Sequence, residues 1–248
     1  MLLPHQLFAA LATYPKNFTA ALNNFGLADF WGKAVSLEDP QLRGHPMLEV
    51  EGWVDKAVPM VLYGDGARFA RKDSLELICI SPLLSRGSVW ANKWVLAAFV
   101  KSCETQDTWK HILEVLAWSL TALAKGVHPM TDHNNQPWDT STPEGKYGAR
   151  FAGKDLTSGK HFGIIHRLAG DLDWYQKRLK FRLGPSSNLP CCWCDGGRPP
   201  HPPFLDLRPH AGWMGTLKTY PQPWPNDHPI KDVPGVSLFT LSPELRHS

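Results

Sequence analysis

Apolar residues recur at helical spacing along the first part of the chain. The recurring positions are Leu7, Phe8, Leu11, Phe18, Ala21, Leu22 and Phe25. Such spacing is typical of amphipathic helices. A polar, proline-containing link, SLEDPQLRGHP, follows and ends at Pro46. The pattern therefore predicts a helical N-terminal segment over residues 1–46.

The pattern of apolar residues changes between Ala57 and Leu84. The runs VPMVLYGDGARFA and LELICISPLL are apolar and rich in β-branched residues, and they predict two neighbouring strands, the first mostly buried. A later run, HFGIIHRLAGD, predicts a further strand. It leads into the short basic segment DWYQKRLKFRLG.

Two helical stretches are predicted between these strands. The first covers Trp90 to Ser102, WANKWVLAAFVKS. The second begins after Asp107, which can cap it, and stops at Gly126. Its apolar stripe consists of Ile112, Val115, Leu116, Leu120 and Leu123, at the spacing of one helix face.

Two regions lack regular periodicity. Residues 128–160 are rich in Gly, Pro, Asn, Asp, Ser and Thr, which predicts a long polar loop inserted between elements, one that could be mobile. Residues 184–248 are dominated by proline and tryptophan, so regular helix or central strand is excluded over much of their length. The prediction for this tail is an irregular segment, either extended over the domain or poorly ordered.

Composition places the chain among globular proteins. Hydrophobic residues make up 43% and charged residues 20% of its 248 residues, which permits a sizeable core. A net charge of +3 is too small to indicate nucleic-acid binding by itself. No apolar stretch approaches the roughly 20 residues that span a bilayer, and the first residues, MLLPHQLFAALATYP, lack the basic start of a signal peptide. No membrane association is expected.

The cysteine pattern favours a reducing, intracellular setting. Three of the five cysteines, Cys191, Cys192 and Cys194, are too close in sequence to form a disulfide framework. Cys191 and Cys194 have the C-x-x-C spacing that lets two thiolates hold Zn²⁺. The available further ligands are His201, His210, His161 and His166. Thiols without a metal are an equal alternative, and a redox role ranks lower because it favours a strand–helix setting.

The first candidate carboxylate is Asp65 in the sequence YGDG. An acid at the end of a buried strand, flanked by glycines, suits Mg²⁺ or Mn²⁺, because these ions prefer oxygen ligands. The alternative is an ordinary Gly-Asp-Gly turn, which local sequence alone favours.

The second candidate is the pair Asp171 and Asp173 in AGDLDWY. On a strand both could point to one side, whereas at a helix start they would cap the helix. Local sequence favours the cap. Should the strands that end at Asp65 and Asp171 be adjacent in one sheet, these two acids could share a metal ion.

A basic run interleaved with aromatic residues follows directly. It comprises Trp174, Tyr175, Lys177, Arg178, Lys180, Phe181 and Arg182. Cations and aromatic rings together hold phosphate backbones and single strands, while a solvated basic helix face is the commoner alternative. The chain has no P-loop, G-x-G-x-x-G or G-x-S-x-G sequence, so no small-molecule cofactor is indicated.

The order of these motifs resembles that of a known family. A strand ending in Asp65, a second ending in Asp171, a C-x-x-C and a final SPELRHS are similar to the central region of plant-type CACTA transposases. The chain resembles still more closely a large set of uncharacterised proteins repeated through dinoflagellate genomes. In those proteins LPHELF-like, HGDG, GDLDYF-like and SPDLMH-like blocks occur in this order, where this chain has LPHQLF, YGDG, GDLDWY and SPELRH. The resemblance runs from Leu3 to His247.

The resemblance implies an α/β fold with a partial RNase H-like core over residues 57–183. It further implies a DNA partner, a nuclear location and metal-assisted phosphodiester cleavage or strand transfer. The catalytic acids it implies are Asp65, Asp171, Asp173 and Glu244. The metal ligands it implies are Asp65 and Asp171 for Mg²⁺ or Mn²⁺, and Cys191, Cys194 and His247, with Zn²⁺ at the cysteines.

Departures from the family pattern imply a copy without retained activity. Tyr63 stands where the family has His, and Glu244 and Arg246 stand where it has Asp and Met. The chain stops at Ser248, inside the last block, as a truncated copy would. The alternatives to a nuclease are a non-catalytic DNA-binding or scaffold remnant and a relic without selected function.

Overall fold

The structure is a computed structural model, and it describes most of the chain. The described residues are 1–14, 16, 18–19, 26–68, 73–85, 92–181, 188, 191, 193–217 and 227–243. All structural statements below concern these residues.

A five-stranded mixed sheet forms the centre of the molecule. Its strands are β1 (Ala57–Arg68), β2 (Ser74–Pro82), β3 (Trp94–Val100), β4 (Phe162–Gly170) and β5 (Leu241–Pro243). They lie in the order β3-β2-β1-β4-β5. Strands β1, β2 and β3 pair antiparallel, whereas β4 is parallel to β1, and β5 is parallel to β4. The predicted α/β class is confirmed at this level, as a mixed α/β fold.

The parallel pairing of β1 with β4 requires a long crossover, and helix α4 provides it. In chain order the helices are α1 (Pro4–Ala12), α2 (Leu27–Ser36), α3 (Trp53–Lys56), α4 (Thr108–Lys125), α5 (Pro143–Phe151) and α6 (Leu172–Lys177). Parallel neighbours cannot be joined by a tight turn. Helix α4 therefore crosses one face of the sheet between β3 and β4.

Helix α4 begins and ends close to the predicted residues. Its last residue is followed by Gly126 in the left-handed conformation, with φ of 69°, which glycine adopts without steric cost. Asp107 precedes the helix, but its side chain makes no capping hydrogen bond. The fully buried positions on the sheet side are Leu113, Leu116, Leu120 and Leu123, so the core stripe is slightly rotated from the predicted one.

The prediction of a helix over residues 90–102 was wrong. Residues Trp94–Val100 form strand β3, which pairs antiparallel with β2. The run WVLAAFV is too short and too uniformly apolar for its period to be read, and its two alanines favour a helix in isolation. Pairing with β2 overrides that preference, since β2 otherwise has no partner on this side.

The two faces of the sheet are covered differently. Alternate residues of each strand point to opposite faces: Val58 and Leu62 belong to a large core with helix α4, whereas Ala57 packs with Trp31 of α2. We call these the α4 face and the α2 face. Helix α4 approaches the sheet closely, because a Cβ at Gly163 would lie 3.0 Å from the Leu123 side chain.

Residues 128–160 are more regular than the predicted loop. They contain helix α5, which Thr142 caps by accepting a hydrogen bond from the Gly145 N–H at 3.0 Å, with Pro143 in the first turn. These are standard start signals for a helix. The prediction missed the helix because the residues around these signals are mostly polar. Gly148 lies directly against the Trp138 ring, where a Cβ would come within 2.3 Å.

The C-terminal part is irregular, as predicted, apart from one strand. Short 3-10 helices at Gly212–Thr216, Pro229–Asp232 and Leu238–Thr240 alternate with turns, and β5 extends the sheet by three residues. Ile230 and Val233 are buried in the α4-face core, so this segment packs onto the domain.

Candidate functional site

Asp65 lies within a strand, so the favoured interpretation as a Gly-Asp-Gly turn was wrong. Strand β1 continues to Arg68, and Asp65 pairs with Leu77 of β2. Gly64 serves close packing, since a Cβ there would lie 1.8 Å from the Trp174 ring. The Trp174 ring thus requires a glycine at position 64, directly before Asp65.

Two hydrogen bonds orient the Asp65 carboxylate on the α2 face. The Tyr63 hydroxyl donates to Oδ2 at 2.8 Å, and the Gly66 N–H donates to Oδ1 at 2.8 Å. Tyr63 lies two residues away, so strand geometry places both side chains on one face. The ammonium group of Lys93 lies 3.7 Å from the centre of the Tyr63 ring. The carboxylate is half-buried, polar in its surroundings and held in one orientation.

Cys79 completes this polar patch on the α2 face. It is the partner of Tyr63 on β2 and is 4% exposed. Burial raises the pKa of the Cys79 thiol, the nearby Lys93 ammonium acts in the opposite direction, and the Asp65 carboxylate adds to the rise. The thiol is therefore neutral at physiological pH.

Asp171 directly follows β4 and caps helix α6. Its Oδ1 accepts a hydrogen bond from the Trp174 N–H at 2.6 Å, as the favoured cap interpretation predicted. Its backbone is still extended, with φ of −76° and ψ of 168°. Among the described residues, the second carboxylate oxygen of Asp171 has no hydrogen-bond partner.

The register of β1 and β4 brings the two acids to one level of the sheet. Gly64 pairs with Gly170, and Asp65 and Asp171 are the residues that follow each of them. Neighbouring strands lie about 4.8 Å apart, so the two backbones are adjacent at this level. Strands β1 and β4 are adjacent in one sheet, with Asp65 within β1 and Asp171 directly after the end of β4.

A close glycine pair explains why the register places them there. A Cβ at Gly170 would lie 2.8 Å from the Gly64 carbonyl oxygen and 3.0 Å from the Trp174 ring. Trp174 is 4% exposed and covers both glycines. Only residues without a side chain fit beneath this ring, which fixes the pairing of Gly64 within β1 with Gly170 at the end of β4.

The other predicted carboxylate and histidine ligands are not placed. Asp173 lies within α6, but its side chain is outside the described part of the structure, and Glu244 and His247 lie outside the described residues altogether. Within the described ranges no group of three or more His, Cys, Asp or Glu side chains could hold a metal ion. Among the described residues, the candidate carboxylates at this level of β1 and β4 are those of Asp65 and Asp171.

The residues of the basic–aromatic run do not form the single exposed surface that was predicted. Trp174 is buried beneath α6, and its indole N–H has no hydrogen-bond partner among the described residues. Lys177 and Lys180 are exposed, while Arg182 lies outside the described residues. Of the side chains predicted to contact nucleic acid, the structure leaves these two lysines at the surface.

Arg178 is buried in an ion-pair cluster, which the sequence did not indicate. Its guanidinium donates to both carboxylate oxygens of Glu104, at 2.6 and 3.0 Å, and lies 3.1 Å from a Glu76 oxygen. It also lies 4.5 Å from the centre of the Trp109 ring. This cluster fixes the end of α6 against β2 and α4. A glutamate inside the apolar run LELICIS was the available signal, since buried acids require a partner.

The C-x-x-C cysteines are adjacent in space. Cys191 is half-buried and Cys194 is 7% exposed, and their thiol groups are hydrogen-bonded to each other. The histidines suggested as further zinc ligands include His161, which contacts the Phe18 ring, and His166, which contacts the Phe30 ring. The described residues bring no third ligand to this pair.

Comparison with protein-family models, with curated proteins and with solved structures returns no match. In the part of the chain that the structure describes, no helix is both long enough and apolar enough to cross a membrane.

Proposed function

We propose that this chain is an RNase H-like domain of nuclease type that binds Mg²⁺ or Mn²⁺ through Asp65 and Asp171 and acts on a phosphodiester of DNA. The observation that carries the proposal is the register: Gly64 pairs with Gly170, so Asp65 on β1 and Asp171, directly after β4, follow at one level of two adjacent parallel strands. The sheet order supports it as well. It combines an antiparallel β1-β2-β3 meander with β4 parallel to β1 and β5 parallel to β4, a mixed α/β arrangement of the class that the resemblance implies.

The two carboxylates suit a hard divalent cation. Mg²⁺ is commonly held by one or two carboxylates and keeps several waters for contact with substrate phosphate. A carboxylate has about four lone-pair sites, and the Tyr63 hydroxyl and the Gly66 N–H each use one site on Asp65. Asp171 uses one oxygen for its helix cap. Its second oxygen thus retains acceptor capacity.

Residues of this chain would hold each of the two carboxylates in one orientation. The Tyr63 hydroxyl and the Gly66 N–H hold Asp65, and the Trp174 N–H holds Asp171. A cation bound between these acids would polarise the phosphate and lower the pKa of a water molecule. The described residues supply two acids and no third. We therefore expect the chain to bind the metal ion readily and to cleave DNA slowly.

The test is thermal melting of the full chain during a Mn²⁺ titration, with Asp65→Asn and Asp171→Asn as variants. Asparagine still caps a helix and still accepts a hydrogen bond, so both variants should fold. A metal concentration one hundred times the Kd stabilises a protein by about 2.7 kcal/mol. We expect this stabilisation in the unmodified chain and its loss in both variants.

The matched control is Asp55→Asn, at an exposed acid in the first turn of α3. It should keep the full response to Mn²⁺. An equal response in all three variants, or none in the unmodified chain, would reject the metal site. Chains that respond are then assayed for cleavage of single-stranded and duplex DNA, and binding without any cleavage would remove the nuclease assignment.

A further inference from the structure

A cleft of about 440 Å³ opens where strands β1 and β4 begin. Its apolar lining comes from Met47, Phe162 and Ile164, which are buried, and from Val50, which is exposed. Binding sites for small molecules have volumes of about 300–1,000 Å³ and mostly apolar walls with a few polar groups. The cleft therefore has the size and the lining of a small-molecule site.

Three lysines from distant parts of the sequence also line this cleft. Lys56 directly precedes β1, Lys160 lies two residues before β4, and Lys125 is the last residue of α4. The first residues of β1 and β4 pair with each other, so the lysines before them lie at one edge of the sheet. In the described part of the chain, the lining has one carboxylate, that of Asp155, and it forms no ion pair with these lysines. The charge of the lining is therefore positive.

Local hydrogen bonds hold two of the three lysines beside the cleft. The half-buried Lys56 donates from its ammonium group to the Glu51 carbonyl at 2.7 Å, which leaves two of its three N–H donors for a ligand. Lys160 has a φ of 53°, which is uncommon for a residue with a side chain. Its N–H donates to the Thr157 carbonyl at 3.0 Å, and the His161 N–H donates to the Thr157 hydroxyl at 2.8 Å. The turn that carries Lys160 is thus fixed at the cleft.

We propose that this cleft binds a small amphiphilic anion, a hydrocarbon body that carries one anionic head group. The body would lie on the apolar lining, and the head group would accept charge-assisted hydrogen bonds from the lysine ammonium groups. Three ammonium groups against one carboxylate favour an anion over a neutral ligand of the same shape. The proposal is independent of the carboxylate site, because Asp65 lies towards the other end of β1 and Asp171 follows the other end of β4.

The experiment titrates the full, isotope-labelled chain with octanoate and follows its amide signals by NMR. The matched controls are octanol, which has the same body without the charge, and acetate, which has the charge without the body. Each buried methylene tightens binding by about four-fold and each exposed ion pair by up to about five-fold, so octanoate should bind more tightly than either control. It should shift the amide signals of Gly126 and Ile164, which line the cleft, and leave the Gly64 signal unchanged.

Variants of the lining separate the contribution of the charge from that of the apolar walls. Lys56→Gln, Lys125→Gln and Lys160→Gln combined should reduce the affinity for octanoate to that for octanol and leave the affinity for octanol unchanged. Val50→Glu places a carboxylate on the exposed part of the apolar wall and should weaken octanoate binding more than octanol binding. The matched control is Lys33→Gln, at an exposed lysine in the last turn of α2 that lies outside the cleft, and it should leave both affinities unchanged.

Single variants replace the triple lysine variant if its spectrum shows that it does not fold. Lys125→Gln and Lys160→Gln change exposed side chains, and each should weaken octanoate binding by about two- to five-fold. The proposal is overturned if octanol binds as tightly as octanoate, or if the lysine variants bind octanoate as the unmodified chain does. It is also overturned if octanoate leaves the amide signals of Gly126 and Ile164 unshifted.

Discussion

The two faces of the sheet bury polar groups by opposite means. On the α4 face the guanidinium of Arg178 lies between the carboxylates of Glu104 and Glu76, so charges are balanced by charges. On the α2 face the imidazoles of His45 and His166 are buried as neutral groups: burial is the main cause that lowers the pKa of each to about 4, and the Asp39 carboxylate only partly opposes it at His166. One face depends on a charge being present, and the other depends on its absence.

This difference predicts which change will destabilise each face of the sheet. A buried ion pair is destabilised when one partner is removed, at any pH at which the other remains charged. A buried neutral imidazole is destabilised when a proton is added. The α4 face should therefore be sensitive to mutation and the α2 face to acid.

The largest effect is expected for Arg178→Met. Both carboxylates lose their partner while they remain largely buried, with 7% and 23% of the Glu76 and Glu104 side chains exposed. Loss of one partner of such a cluster costs about 3–5 kcal/mol. Urea unfolding at neutral pH measures this loss in the free energy of unfolding.

The matched control is Arg208→Met, which breaks an ion pair with Asp206 at the surface, where the arginine side chain is 84% exposed. Such pairs contribute roughly 0–1 kcal/mol. Equal losses for the two arginine variants would show that the α4-face cluster contributes no more than a surface pair.

The second effect is the pH dependence of the α2 face. The folded-state pKa values of His45 and His166 lie below the unfolded value of 6.5, so the unfolded chain binds protons that the folded chain does not. Stability is fully present above pH 6.5 and is lost as the pH falls towards about 4. Urea midpoints across this range should fall steadily.

The variant that sharpens this prediction is His45→Asn combined with His166→Gln. Asparagine can replace the imidazole nitrogen that accepts the Met47 N–H. The double variant should have a shallower decline, whereas His111→Gln, at an exposed imidazole, should leave the decline unchanged. A slope unaltered by the double variant would locate the acid sensitivity elsewhere, for example at His5, whose pKa is lowered to about 3.

The smallest effect is expected for Tyr63→Phe, on the polar end of the α2 face. The variant loses one hydrogen bond to Asp65, which contributes about 0.5–1.5 kcal/mol. Under the proposed function it should also tighten Mn²⁺ binding several-fold, because the hydroxyl no longer competes for Oδ2. Titration of the Mn²⁺ Kd tests this, with Tyr147→Phe as the control. Unchanged binding would contradict a metal at Asp65, and weaker binding would show that the orienting role of the hydroxyl outweighs its competition for Oδ2.

Local signals predicted the elements that local interactions determine. Helix α4 stops at Gly126 because only a left-handed residue fits there, and Asp171 caps α6 through its own next turn. Strand β3 was misread since its identity depends on pairing with β2. The spacing of apolar residues within this seven-residue strand does not indicate that pairing.

The site was predictable in its residue types but not in its geometry. Asp65 and Asp171 were chosen because each follows an apolar run, but their shared level depends on the contact between Gly64 and Gly170. Arg178 was expected at the surface because its neighbours in sequence are basic. Its partner Glu104 is separated from it by 74 positions, and no local pattern reports such a pair.

The parallel pairing of β1 with β4 also has a consequence for the order of folding. Strands β1, β2 and β3 follow one another closely and can pair through local loops, whereas β4 must wait for the whole crossover that contains α4. Contacts between distant segments form late, because a long loop must close first. During synthesis, Asp65 would leave the ribosome on an early hairpin and meet Asp171 only when β4 docks beside it.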